Sequence, residues 1–222
     1  MIKACIFDMD GTLVNSLNSI SYFANKALNK YGLSSIEVEE YKYMVGNGAK
    51  TLVKRMLEKL GADEELFEEV FSEYSTTYDK NFLYLTEPYD GIMDLLKELR
   101  RTSVKTAILS NKPHITAEKI SAELFGDALI DICQGAIDTF PLKPDPDGVY
   151  EIIKELGLKK EECLYIGDTS TDMKTGKNAG LFTVGVLWGF RKKDELVENG
   201  ADAVISHPSE LLSIIKTTNE ED

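Results

Sequence analysis

ACIFDMDGTLVNS, residues 4–16, is an apolar run that ends in two aspartates with one residue between them. A buried strand has no use for a carboxylate, so the pair must serve whatever the strand end faces. The run IKACIF (2–7) is short and is followed by a turn signal at Asp10-Gly11, which predicts a buried strand. Similar runs follow at VKTAILS (104–110), ALIDICQ (128–134), CLYIGD (163–168), FTVGVLW (182–188) and, shorter, ADAVIS (201–206). Helical stretches lie between them: GIMDLLKELRR (91–101), PHITAEKISAELFG (113–126), DPDGVYEIIKELG (145–157), TDMKTGKNAG (171–180) and PSELLSIIK (208–216). In the first of these, Ile92, Leu95, Leu96 and Leu99 share one face. Strands alternating with helices of this length predict an α/β fold, a parallel sheet with helices on both faces.

One segment breaks the alternation. From about 15 to 85 there is no convincing strand, and three stretches (LNSISYFANKALNKYG, GAKTLVKRMLEKLG and DEELFEEVFSEYSTTYDKNF) read as helices. A helical insert therefore interrupts the sheet directly after its first strand, with TEPYDG (86–91) as the return linker. Tyr22, Phe23, Phe67 and Phe71 fall at helical spacings and are expected in the insert's core. The acidic tail NEED is expected to fray.

The chain has 222 residues, 43% of them hydrophobic and 28% charged, which suits a soluble globular protein of one domain or two small ones. Its formal net charge of −13 argues against nonspecific nucleic-acid or anionic-membrane binding. No apolar run approaches the ~18 residues of a membrane span. MIKACIF enters structure without a signal-peptide layout, so a cytoplasmic location is expected. Three cysteines, with no CxxC and no His/Cys cluster, predict buried thiols rather than zinc or disulfides.

Ligands of open parallel sheets bind beyond the carboxyl ends of the strands. On that rim stand Asp8, Asp10, Gly11 and Thr12; then Ser110, Asn111 and Lys112; then Lys143 in PLKPDP; then Asp168 and Asp172 in GDTSTD. Acids, a hydroxyl and a lysine converging there suit phosphoryl transfer through a covalent aspartyl phosphate. Asp8, Asp10, Asp168 and Asp172 against Lys143 leave a net −3, which a phosphate dianion would not enter unaided. One Mg²⁺, a hard cation that prefers carboxylate and phosphate oxygens, brings the sum to −1, and a proton on Asp10 brings it to zero. Residues i and i+2 of an extended chain point the same way, so Asp8 can attack phosphorus while Asp10 faces the leaving oxygen as general acid and later base. Ser110 and Lys143 would bind phosphoryl oxygens, and Gly11 permits the sharp turn into the insert.

DMDGTL, then SN after the second strand, then a lone Lys, then GDTSTD, resembles the haloacid dehalogenase-like hydrolase superfamily along essentially the whole chain. The resemblance implies a Rossmann-like core over 1–14 and 86–222, and an all-helical cap domain of that superfamily's first type over 15–85. It implies Asp8 as nucleophile and Asp10 as acid/base, with the Asp10 backbone carbonyl also on the metal. Ser110 and Lys143 would hold phosphate, Asp168 would ligate Mg²⁺, and Asp172 would lie behind it or reach it through water. Asn111 either binds phosphate by its backbone or caps the following helix. Asn15 departs from the Asp that many members carry at this hinge position.

VGNGAK (45–50), SNKP (110–113) and PLKPDP (141–146) are similar to bacterial phosphoglycolate phosphatases. The expected activity is Mg²⁺-dependent hydrolysis of a small phosphorylated metabolite, 2-phosphoglycolate foremost, by a monomer or homodimer. The alternatives are a β-phosphoglucomutase-like mutase or an inorganic pyrophosphatase of the same superfamily. Outside it stands a non-hydrolytic phosphoacceptor module, which has no use for an acid two residues after the nucleophile. Thr12 is expected to brace the turn, His114 and His207 to sit in exposed loops, and Arg191 to be solvated. Lys42, Lys50 and Arg55 are either solvated or substrate-facing.

Overall fold

Strand β1 (Ala4–Phe7) is completely buried at the centre of the protein in the computed structural model, which describes residues 1–220. The chain then runs through β2 (Val14–Asn15), α1 (Leu17–Lys30), α2 (Val38–Tyr41), α3 (Ala49–Leu60), α4 (Phe67–Lys80), β3 (Glu87–Pro88), α5 (Ile92–Arg101) and β4 (Lys105–Pro113). It continues through α6 (His114–Phe125), β5 (Ile132–Ala136), α7 (Asp147–Leu156), β6 (Cys163–Gly167), α8 (Ser170–Ala179), β7 (Phe182–Val186), α9 (Lys193–Glu198), β8 (Ala203–Ile205) and α10 (Glu210–Glu220). The six-stranded sheet has the order β5-β4-β1-β6-β7-β8, with every pair parallel. From β1 the chain builds outward through β4 and β5, then returns to β1's other side for β6, β7 and β8. The order reverses at β1, the place where open α/β sheets bind ligands.

The pleat sorts β1 between two cores. Cys5 and Phe7 pack with Leu95, Leu96 and Leu99 of α5, Ile120 of α6 and Leu211 of α10. Ala4 and Ile6 face the opposite side, with Val149 and Ile152 of α7 and Ala179 of α8. Helices thus cover both faces, and burying a side chain such as Leu96 contributes about 2 kcal/mol. Helix α5 has the predicted apolar stripe, and Arg100 and Arg101 in its last turn suit the helix dipole. A third core lies between β2 and β3, where Phe23, Ala27 and Leu28 of α1 meet Val53 and Met56 of α3 and Val70 and Tyr74 of α4.

Several expectations need adjusting. Residues 14–15 and 87–88, where the chain enters and leaves the helical stretch, pair antiparallel as a small second sheet that is too short to leave a pattern. The third long strand begins at Ile132 rather than 128, because Gly126 ends α6 and a turn occupies 127–129. Helices α2 and α9, of four and six residues, are too short for periodicity. Phe23 is core, and Phe67 and Phe71 stack on each other half-buried, but Tyr22 is exposed and packs edge-on against Phe23. Helix α10 runs to Glu220, and the last two residues of the acidic tail lie outside the described residues. All three cysteines are free, two of them buried. Among the described residues no helix is long and apolar enough to cross a membrane.

Two glycines bring the loops of the rim together. Gly11 has φ +90°, and a Cβ there would stand 2.3 Å from an Asp168 carboxylate oxygen. A Cβ on Gly189 would stand 2.3 Å from the Gly11 carbonyl oxygen and 2.4 Å from the Asp168 Cβ. Backbone cannot swing aside as a flexible side chain does. Gly189→Ala is therefore expected to destabilise by about 1–3 kcal/mol or more, read as a lower urea midpoint at unchanged m-value.

Candidate active site

Asp8 follows the last residue of β1, and its amide donates to the Ile166 carbonyl of β6, so the sheet continues just far enough to aim its side chain. Its Oδ1 accepts from the Met9 amide and from Lys143 Nζ, both at 2.7 Å. The same Nζ lies 2.7 Å from Asp172 Oδ1. Asp172 is in the first turn of α8, where it also completes a capping box: its Oδ2 accepts from the Thr169 amide and hydroxyl, at 3.1 and 2.6 Å. One oxygen of Asp172 thus serves the helix start and the other meets Lys143. Asp168, wholly buried, accepts from Thr12 Oγ1 at 3.1 Å and from the Phe190 amide at 2.7 Å. Thr12 thus braces Asp168 as well as the turn.

Carboxylate oxygens of Asp8, Asp168 and Asp172 lie within 4.8 Å of one another, a cluster able to hold a divalent cation. Lys143 is the direct cationic partner of two of these acids, Asp8 and Asp172. Burial, then the charge of Asp172, pushes Asp8 up to about 7 against the pull of Lys143. Asp168 is held well above the usual carboxylate range by burial and by Asp172 and Asp8. Burial alone would lower Lys143, but Asp172 and Asp8 outweigh it and keep the ammonium charged.

Asp10 stands apart from this cluster. Its Oδ1 accepts from Ser16 at 2.6 Å, and its Oδ2 pairs with Lys112 Nζ at 2.9 Å. The side chain therefore faces a cleft rather than the other three carboxylates, and the expectation that Asp10 ligates a metal falls to its backbone carbonyl. The cleft lies between the sheet rim and the helices of residues 17–80. Asp8, Asp10, Ser110, Asn111 and Lys112 line one wall, and Val45, Gly46, Leu52, Tyr74 and Tyr78 the other. Ser110 is buried, and its Oγ accepts from the Lys112 amide at 3.2 Å.

Asn111 does not cap α6, whose N-cap is Pro113. Its side chain accepts from the Lys143 amide at 2.8 Å and donates to the carbonyls of Lys143 (3.1 Å) and Gly46 (3.0 Å). It thus fixes the lysine loop and ties it to the VGNG turn. Lys112 carries no role in the sequence reading, where it is one letter of SNKP. It is buried, with Nζ 2.9 Å from the Tyr78 hydroxyl and 4.6 Å from the ring centre. Burial would lower its pKa, but Asp10 and the tyrosines hold it raised.

Arg191 is a correction. Its side chain is 9% exposed, 3.2 Å from Glu195 and stacked 5.1 Å over Tyr43. Arg55 is committed to the Met44 carbonyl and Asn47, Lys42 pairs with Glu39, and Lys50 is exposed. His114 binds the Gly135 amide, and His207 caps its own turn at Ser209.

The chemistry-bearing residues of four strand ends converge on one rim in the order DxD, Ser-Asn, Lys, GDxxxD. A family model described as haloacid dehalogenase-like hydrolase matches residues 5–186. The chain belongs to the haloacid dehalogenase-like hydrolases. It is 31% identical to a phosphoglycolate phosphatase of Aquifex aeolicus (strain VF5) over 215 residues, 96% of this chain and 97% of the relative. It is 28% identical to an N-acetylmuramic acid 6-phosphate phosphatase of Pseudomonas aeruginosa over 217 residues, 96% and 95% of the two chains. A solved structure from Lactobacillus delbrueckii subsp. bulgaricus superposes with TM-score 0.88 at 31% identity, covering 94% of this chain and 96% of that one. Another, from Haemophilus somnus 129Pt, gives TM-score 0.90 at 24% identity over 96% and 98%, a likeness of fold. As a haloacid dehalogenase-like hydrolase the chain is an enzyme.

The raised carboxyl pKa values carry a stability signature. In metal-free protein the folded state keeps a proton on Asp8 that the unfolded state has lost above about pH 4. That contribution is full below the unfolded pKa and is lost as pH rises toward 7. The carboxylates with lowered pKa, such as Asp131 and Glu162, act with the opposite sign but below about pH 5. In EDTA the melting temperature should therefore fall between about pH 5 and 7.5. The fall should shrink in Asp8→Asn and be reversed by a divalent cation, as followed by thermal unfolding.

Proposed function

We propose that this hydrolase is a Mg²⁺-dependent phosphatase that cleaves a small phosphomonoester, 2-phosphoglycolate in the first instance, through an aspartyl phosphate on Asp8. The observation that carries the reading is the division of labour between two aspartates two residues apart. Asp8 sits in the Lys143 and acid cluster, whereas Asp10 faces the cleft. The Asp8, Asp168 and Asp172 carboxylates suit a hard cation, with the Asp10 carbonyl as a further ligand. Bound there, Mg²⁺ supplies the positive charge that lets a phosphate dianion approach three acids.

In this reading Lys143 and Ser110, with the Asn111 backbone, hold the phosphoryl oxygens. Asp8 attacks phosphorus as the bond to the ester oxygen breaks, and Asp10 gives that oxygen its proton. Asp10, now a carboxylate, takes a proton from water, whose oxygen attacks the phosphorus and frees Asp8 and inorganic phosphate. Asp10 is then protonated again and ready for the next ester. Residues 15–85 act as a cap over a core of 1–14 and 86–222, keeping bulk water out and supplying the contacts that choose the substrate.

The relatives' names support a phosphate ester as substrate, and both phosphoglycolate and N-acetylmuramic acid 6-phosphate are phosphate esters that also carry a carboxylate. The acidic overall charge fits a small metabolite in the cytoplasm rather than nucleic acid or an anionic membrane.

The test is phosphate release from a panel holding 2-phosphoglycolate, sugar phosphates, nucleotides and pyrophosphate, with Mg²⁺ and with EDTA. Release that needs Mg²⁺ and peaks on one ester is expected. Release only when a sugar bisphosphate is supplied would point to a mutase, and a peak on pyrophosphate would overturn the ester reading. Asp8→Asn should reduce turnover to background and abolish the acyl phosphate. Asp10→Asn should cost about 10²–10⁴-fold in kcat while leaving metal binding in place. Near-normal turnover by Asp8→Asn would sink the mechanism.

A further inference from the structure

The mechanism above uses Asp8, Asp10, Ser110, Asn111 and Lys143, and leaves one buried charge in the cleft without a task. Among the described residues Lys112 is the only basic side chain on the cleft wall, which also bears Asp8, Asp10 and Asp79. Lys143 has its place elsewhere, its ammonium between Asp8 and Asp172 at 2.7 Å each, where the proposed mechanism uses it on the phosphoryl group. The Lys112 ammonium has three donors. One meets Asp10 Oδ2 and one the Tyr78 hydroxyl, each at 2.9 Å, and no other acceptor among the described residues takes the third. The Tyr78 ring beneath it holds the cation in place without using a donor.

The Lys112–Asp10 contact stands where the reaction must occur. Asp10 Oδ1 is committed to the fully buried Ser16. The oxygen left to meet the leaving group is Oδ2, and Lys112 occupies it. An ester that delivers its oxygen to Oδ2 must share or displace that ammonium. A neutral leaving group gives the third donor of that buried ammonium no anionic acceptor. A leaving group that carries its own carboxylate supplies one. The spacing also fits. The ester oxygen must come within about 3 Å of Oδ2. Lys112 Nζ is 2.9 Å from the same atom, so oxygen and ammonium are at most about 6 Å apart. A carboxylate on the ester-bearing carbon, plus one hydrogen bond, spans that gap.

We propose that Lys112 is a specificity-determining residue that binds a carboxylate on the leaving group, so that the preferred substrates are phosphate monoesters of small α-hydroxy acids. This deepens, and rests on, the phosphatase reading of the same site. It names the residue and the chemical group by which a phosphate ester bearing a carboxylate is told from one without.

The test compares 2-phosphoglycolate with the phosphate ester of glycolamide, which has the same shape and no second charge. Binding is measured by calorimetry with Mg²⁺ present on Asp8→Asn protein, which lacks the nucleophile, so that no turnover intrudes. The acid should bind about 100-fold more tightly than the amide when Lys112 is present. In Asp8→Asn/Lys112→Met that ratio should collapse to about threefold or less, and Lys112→Arg in its place should recover part of it. Equal weakening of both ligands would make Lys112 a positioning residue for Asp10 and overturn the proposal, as would an unchanged ratio. Failure of the underlying reading looks different: enzyme with Asp8 intact and Mg²⁺ present would release no phosphate from either ester, whatever the binding ratio.

Discussion

Lys143 between Asp8 and Asp172 is the contact on which the rest of the site depends. Burying one ammonium and two carboxylates is costly unless each finds its partners. Here the partners come from separate parts of the chain: Asp8 from the end of β1, Asp172 from the first turn of α8, and Lys143 from the loop before α7. The loop is fixed by Asn111, which takes both backbone groups of Lys143. The start of α8 is fixed by Thr169, which pairs with the second oxygen of Asp172. The charge cluster, the helix cap and the asparagine clamp are therefore one structure. Its third acid, Asp168, has among the described residues only a hydroxyl and an amide for company. The rim keeps more negative charge than its own lysine can balance, and that imbalance is what makes it receptive to a cation.

Most of this frame was legible in the sequence because it rests on period and punctuation. The apolar runs at β1, β4, β6 and β7 lie between amphipathic helices that end at Gly126, Gly157 and Gly180, and the acids stand just past the strand ends. What escaped notice has physical reasons. The pairing of 14–15 with 87–88 is two residues long and leaves no pattern. Asn111 reads equally as a cap or a ligand, and only the fold brings Lys143, 32 residues away, to its side. Arg191 looked solvated because charge implies exposure, but Glu195, four residues on, pairs with it and Tyr43, far away in sequence, covers it. Lys112 follows two residues with evident roles, and only the fold brings Tyr78, 34 residues away, to its side.

The contacts between the rim and the helices of residues 17–80 are few and specific. Asn111 donates to the Gly46 carbonyl, Asn47 donates to Thr171 at 3.1 Å, and Arg55 holds Asn47 from behind. Phe190, whose amide binds Asp168, buries its ring in the core formed by those helices. Each of these rim residues is next to a site residue or is one itself. A shift of the helices on the rim would therefore be felt at Asp168, at the start of α8 and at the Lys143 loop.

This coupling bears on how a phosphoryl site common to a whole family comes to serve one substrate. In the proposed mechanism the rim residues deal with the phosphoryl group, which every phosphate ester shares. Discrimination has to come from the part of the cleft beyond the ester oxygen, and there the wall is mostly apolar or hydroxylic: Ile20, Val45, Leu52, Tyr74 and Tyr78. Apolar walls separate ligands by a few kcal/mol at most, whereas a buried charge left without its partner discriminates far more sharply. Lys112 is that charge. It belongs to the sheet, on the same strand as Ser110, but it is held by Tyr78 from helix α4. In the proposed mechanism substrate choice thus depends on both halves of the cleft meeting, and the residue proposed to read the leaving group touches the one proposed to protonate it.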